Sequence, residues 1–391
     1  MLTLKGLFFV IILSLTLSSC LEMYNTEETS SIKTLVVDAL IADDKENQTI
    51  TLSRSTLMAA PVWDPISGAN IVVVDKGNNV FSFNESRVEP GVYEGNIPFE
   101  FLVPGNAFKL SFTVDGKDYE SSFEELLSCP NVDSVYYEIN NEYYDKSNKL
   151  PERGIEFYLD VKANKNQSKH YRWLLDETYE YHATWPIEKY WNARWHERKP
   201  NYSYFVCYKT VAVNSIYTAT TTHLDENVYL KFPLHFVNNQ TQRLYYRYSL
   251  LVKQLSMTPK AFDFWEALKK NNQTAGGLFD SQPVNVNGNI ICLTKSNENI
   301  LGYFGVSSVK TKRISIDEFR GLIYDYNVFC TARFIDEKSL TFIVESPEYT
   351  WPIYVAPVPP GEAPGIYYAN QECFDCRLAG GTLEAPEFWN K

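Results

Sequence analysis

The chain has 391 residues, 45% of them hydrophobic and 21% charged, with 18 Gly and 19 Pro, a balance that excludes wholesale disorder, collagen-like repeats and low-complexity architecture. Its net charge of −12 argues against a nucleic-acid partner, because affinity for a phosphate backbone comes mainly from Lys and Arg displacing counterions. The 27 Tyr, 23 Phe and 8 Trp suit β-sheet, where rings pack across neighbouring strands, and the length suits two domains.

Residues 1–19 read as a secretory signal: Lys5, an apolar run from Leu7 to Leu17, then Ser18 and Ser19. The run is too short for a transmembrane helix, which needs about 20 residues. Leu17-Ser18-Ser19-Cys20 resembles the bacterial lipobox, so Cys20 is the expected site of lipid attachment and the first residue of the mature chain. Two or more acyl chains on that residue would anchor it stably. Residues 20–32 are polar and acidic without apolar periodicity, which predicts a flexible tether.

From Thr34 onward, short alternating runs separated by turn residues predict strands: TLVVDALIA, QTITLSRS, ANIVVVDK and NVFSFNES. Lys76-Gly77-Asn78-Asn79 and Asp115-Gly116 are hairpin turns, the second favoured because Asp-Gly tolerates the positive φ of a type I′ turn. The expected fold class is all-β, with an Ig/transthyretin-like antiparallel sandwich over 33–128. A larger β-rich domain with one or a few short helices would follow over 129–391. The boundary is placed beside Cys129-Pro130, since proline cannot continue a strand ladder.

In the second part, strands are expected at Ile155–Val161, His170–Tyr181, Tyr245–Gln254 and Ser339–Glu345. The one clear helix follows Thr258, a capping residue, with Pro259 in its first turn. Phe262, Trp265 and Leu268 fall on one face, and Gly276-Gly277 ends it.

Six cysteines remain after Cys20: Cys129, Cys207, Cys292, Cys330, Cys373 and Cys376. In an oxidising compartment an even number favours disulfides, and six allow 15 pairings, so spacing alone does not assign them. Cys373-Phe374-Asp375-Cys376 has rival readings as a redox pair or as zinc ligands, but no thioredoxin-like context and no second pair accompany it. His170, His182, His196, His223 and His235 form no metal-binding pattern. No GxSxG, GxGxxG or P-loop motif is present, so the expectation is a non-enzyme without metal or cofactor.

The most suggestive segment is 185–208. It interleaves Trp185, Tyr190, Trp191, Trp195, Tyr202 and Tyr204 with Arg194 and other cations in an otherwise acidic chain. Such residues dominate interfaces and stack on sugars or peptides, which makes them a candidate surface for a glycan or peptide ligand. The alternative is an insertion whose rings cover a sandwich edge. A second segment, Tyr349 to Pro352 leading into the proline-rich 356–365, reads either as a recognition loop or as a connector.

The carboxyl end runs Glu372-Cys373-Phe374-Asp375-Cys376, then Gly380-Gly381-Thr382 and Pro386-Glu387-Phe388-Trp389. With the lipobox, Ser67-Gly68-Ala69 and Leu301-Gly302-Tyr303-Phe304, this resembles the domain of unknown function 4249 family of Bacteroidota lipoproteins. The resemblance implies an outer-membrane lipoprotein, on the periplasmic or cell-surface face, beside a TonB-dependent receptor. It brings no catalytic residues to carry over. The expected function is therefore a lipid-anchored, non-catalytic accessory or ligand-capturing partner of that transporter. A surface adhesin or structural envelope protein is the alternative, and a glycan or peptide hydrolase lacks a motif.

Overall fold

The computed structural model describes residues 33–56, 62–143, 151–192, 194–273, 286–295, 298–326, 330–340 and 352–389. The signal segment, Cys20, the tether, Gly276-Gly277 and Tyr349 to Trp351 lie outside these residues. The described chain is mostly β, arranged as two sandwich-like bodies and a smaller sheet.

The first body contains β1 (Leu35–Ala42), β2 (Asn47–Arg54), β3 (Asn70–Asp75), β4 (Val80–Glu85), β5 (Val92–Asn96), β6 (Ala107–Val114), β7 (Lys117–Ser121) and the short β8 (Glu124–Glu125). Alternation decides which side chains go in: Val37, Ala39 and Ile41 of β1 and Phe108, Leu110 and Phe112 of β6 are buried in one core. Its turns follow local chemistry. Asp115 and Gly116 both take positive φ, 52° and 72°, between β6 and β7, and Asn78 takes 65° between β3 and β4.

This body does not close at residue 128. The chain returns to it with β17 (Ile290–Cys292), which pairs with β7, and β18 (Ile300–Ser307), which runs parallel to β1 from Leu35↔Ile300 to Ala42↔Ser307. The expected boundary between 33–128 and 129–391 is therefore corrected, because the first core is completed by Ile290, Ile300, Phe304 and Val306. The β1–β18 pair is also the one parallel pairing among the described strands. Gly302 permits the close approach: it sits at φ 114°, and a Cβ there would overlap the Val37 carbonyl oxygen.

The second body stacks a three-stranded sheet, ordered β15-β10-β9, on a four-stranded one, ordered β14-β11-β16-β19. Its strands are β9 (Val132–Tyr143), β10 (Glu152–Lys162), β11 (His170–His182), β14 (Val206–Thr220), β15 (Val228–Asn238), β16 (Tyr248–Ser256) and β19 (Val309–Ile316). The inward side chains Phe157, Leu159, Tyr171, Trp173, Leu175 and Tyr248 fill the second core. The strand expected from Tyr245 starts at Tyr248, because Gln242–Leu244 forms a 3₁₀ turn first.

The helix α1 (Pro259–Gln273) starts where expected, with the Ala261 N–H donating to Thr258 Oγ1 at 3.3 Å. It buries Ala261 and Phe264 with Met257 and Tyr303, and half-buries Phe262, Trp265 and Leu268.

The third unit is a five-stranded sheet ordered β13-β12-β21-β22-β20. It contains β12 (Ile187–Trp191), β13 (Trp195–Asn201), β20 (Arg333–Ile335), β21 (Ile353–Ala356) and β22 (Ile366–Tyr368). The proline-rich 356–365 segment joins β21 to β22, which pair antiparallel. Where a strand was expected from Ser339, the described residues show a 3₁₀ turn over Glu337–Ser339.

Candidate functional site

The aromatic segment 185–208 supplies β12 and β13, and most of its rings are packed within the small sheet. Trp185, Tyr190 and Tyr204 lie against Ile187, Ala356, Tyr367 and Phe374. The Trp185 and Phe374 ring centres are 5.5 Å apart, and Arg377 sits 3.8 Å from the Tyr204 centroid. Trp191 and Trp195 meet edge-to-face at 5.0 Å and pack on Ile335, Leu340 and Ile353. Of the seven residues singled out in the sequence, only Arg194 and Tyr202 are exposed. Period-2 alternation marks the face of a strand but not its cover, and here the cover comes from β21, more than 150 residues away.

Two disulfides staple the carboxyl-terminal segment, one in the second core and one in the core of the small sheet. Cys207 bonds Cys376 and Cys330 bonds Cys373. The Cys373/Cys376 pair thus points to two different partners and is neither a redox pair nor a zinc half-site. Of the six cysteines expected as disulfide candidates, Cys129 and Cys292 are corrected to thiols. Burial pushes the Cys129 pKa up to about 12, which makes it unreactive. Phe388 and Trp389 dock the carboxyl end onto the second body: Trp389 is buried beside Tyr208, and Arg313 stacks 3.4 Å from the Phe388 centroid.

A deeper feature lies where the two sandwiches meet. Strand periodicity sends Tyr171, Trp173 and Leu175 of β11 into the second core, so Arg172 and Leu174 face the first body. Leu174 packs with Leu40, Ala42, Leu255 and Val309 in a thin apolar layer across the junction. Polar ties fix the same junction, with the Val309 N–H donating to Asp43 Oδ1 at 2.7 Å and Ser256 Oγ donating to the Leu127 carbonyl at 2.6 Å. Beside this layer the bodies leave a cleft of about 430 Å³, walled by β1, β2, β11, β16 and β18 and flanked by α1.

Arg172 lines that cleft with its guanidinium 3.3 Å from the Trp265 ring centroid. Its Nε is sealed from solvent and has no hydrogen-bond partner. Burial pushes its pKa down to about 10, partly countered by the Asp38 charge, so it stays cationic at neutral pH. Lys253, also in the wall, is ion-paired to Asp176 at 2.7 Å. Sequence reading took Trp265 as part of a helix face and passed over Arg172. The available signal was a lone arginine among the apolar residues of an alternating strand.

Two further polar networks have internal partners. Glu177 accepts from Arg243 Nη1 at 3.0 Å and Tyr248 Oη at 3.0 Å, with His235 at 3.4 Å. Glu124 accepts from Tyr303 Oη at 2.6 Å and Thr258 Oγ1 at 2.7 Å, tying the start of α1 to the first body. Among the described residues no three His, Cys, Asp or Glu side chains converge as a metal site, and no helix is long and apolar enough to cross a membrane.

A family model described as "Domain of unknown function (DUF4249)" matches residues 22–313. No curated protein matches the chain. Among solved structures, a DUF4785 family protein from Legionella pneumophila subsp. pneumophila str. Philadelphia 1 is similar at 10% identity, over 57% of this chain and 52% of that one, with a TM-score of 0.17. The chain thus spans about half the length of that protein, and at this score the likeness carries no argument.

Proposed function

Because the chain belongs to the DUF4249 family, a domain of unknown function, we propose that it is a lipid-anchored, non-catalytic ligand-capture protein of the outer membrane that serves a TonB-dependent transporter. The observation that carries capture is the junction cleft, a concave space of about 430 Å³ between two β bodies whose wall holds Arg172, its sealed Nε without a hydrogen-bond partner among the described residues. Volumes of about 300–1,000 Å³ are typical of small-molecule sites, and this wall mixes apolar with charged side chains. Leu17-Ser18-Ser19-Cys20 supports the address. Acylation at Cys20 would hold the cleft near the membrane and raise its effective concentration towards a neighbouring receptor.

Adhesion is the weaker reading, since the rings it would use are mostly packed inside the small sheet. The test is affinity purification of the full chain from native membranes in mild detergent, followed by mass spectrometry of its amino-terminal peptide and its partners. Diacylated or triacylated Cys20 with a co-purifying TonB-dependent receptor is expected. A free thiol at Cys20, or acylated protein that brings down no receptor, overturns the proposal.

A further inference from the structure

A polar group sealed from water without a hydrogen-bond partner is costly, and folded chains normally provide one; Arg172 is half-buried, and its Nε is the sealed atom. Arg172 has none among the described residues: Nε lacks an acceptor, and the one carboxylate that acts on it, Asp38, attracts it through space without an ion pair. The remaining charges of the cleft do not substitute. Lys253 is held by Asp176, while Asp38, Asp44 and Lys45 are exposed, where water screens them.

The Trp265 ring uses the face of the guanidinium and fixes its plane. Nε has no acceptor among the described residues, and the acceptor that matches a guanidinium fork is a planar carboxylate. The same cleft is lined by Leu40, Leu174, Leu255 and Met257.

We infer that the cleft is the seat of a small apolar molecule bearing a carboxylate, whose two oxygens accept from Arg172 while its body lies on those four side chains. This rests on the capture reading and names its ligand class. No bond is made or broken, so release requires only that the sandwiches part or the ligand exchange with solvent.

The experiment is calorimetric titration of the full chain with 3-phenylpropionate and with its neutral isostere 3-phenylpropanamide. The acid is expected to bind at least about tenfold more tightly than the amide, the ratio that hydrogen bonds to a charged group supply. Arg172→Met should abolish the preference, and Arg172→Lys should restore only part of it.

Equal binding of acid and amide, or no heat from either up to millimolar concentration, overturns the inference. So does an Arg172→Met chain that folds and retains the preference. If Arg172→Met fails to fold, the acid-to-amide ratio of the unaltered chain decides alone. Loss of the receptor in the membrane purification would remove the accessory reading but leave this ratio untouched, so the two failures are distinguishable.

Discussion

Residues 33–128, expressed alone, are expected not to fold cooperatively. The full chain buries Ile290, Ile300, Phe304 and Val306 in the first core, at 7%, 7%, 0% and 3% exposure. At roughly 1.5–3 kcal/mol for each apolar side chain buried, these four supply about 6–12 kcal/mol. That equals the whole stability of a typical domain, about 5–15 kcal/mol. Removing them also strips the β18 partner from all eight residues of β1 and leaves a bare apolar edge prone to self-association. The assay is a ¹H–¹⁵N spectrum with urea unfolding followed by circular dichroism. A collapsed spectrum and a broad transition are expected, and fusing residues 286–309 behind the fragment through a flexible linker should restore dispersion. A well-dispersed spectrum with a sharp transition from 33–128 alone would refute the claim that the returning strands complete this core.

Three other expectations can be checked by the same unfolding measurements. Replacing Cys207 and Cys376 by Ser should cost more than replacing Cys330 and Cys373, since the bridges span 169 and 43 residues and chain entropy assigns them about 5 and about 4 kcal/mol. Urea titrations of the two double variants would test that order. Burial alone would raise the Glu177 pKa, but the His235 hydrogen bond and the Arg243 charge outweigh it and hold it below the ordinary 4.5. The stability it confers is complete above that value and is lost as pH falls through the folded pKa. Glu177→Gln should therefore cost about 3 kcal/mol at neutral pH and flatten the acid limb of the stability profile, and an unchanged acid limb would contradict the assignment. Trp191→Ala and Trp195→Ala should each destabilise by about 2 kcal/mol, less than the 3–5 typical of fully buried rings because both are half-buried. Wild-type stability in both would mean that the rings are not packing residues.

Part of the molecule is written locally. Asp115-Gly116 turns where its backbone freedom predicts, Thr258 caps the helix that follows it, and the alternation in β1 and β6 chooses the buried face. These outcomes depend on φ preferences and side-chain periodicity over a few residues, which do not change with the rest of the chain. The lipobox-like Leu17-Ser18-Ser19-Cys20 is likewise a short string read from sequence alone.

What only the tertiary structure decided is pairing at a distance. β1 takes β18 rather than closing its sandwich with nearby strands, Cys376 reaches back to Cys207 while Cys373 takes Cys330, and Arg172 meets Trp265 across the junction. The cost of closing a loop rises only with the logarithm of its length, so sequence separation scarcely separates near partners from far ones. The choice falls to whichever arrangement covers every apolar face at once, a property of the whole chain. For that reason the sequence leaves the aromatic segment open between a binding surface and an edge cover while the fold half-buries most of its rings, and the meeting of Arg172 with Trp265 beside the cleft is visible only once both bodies stand together.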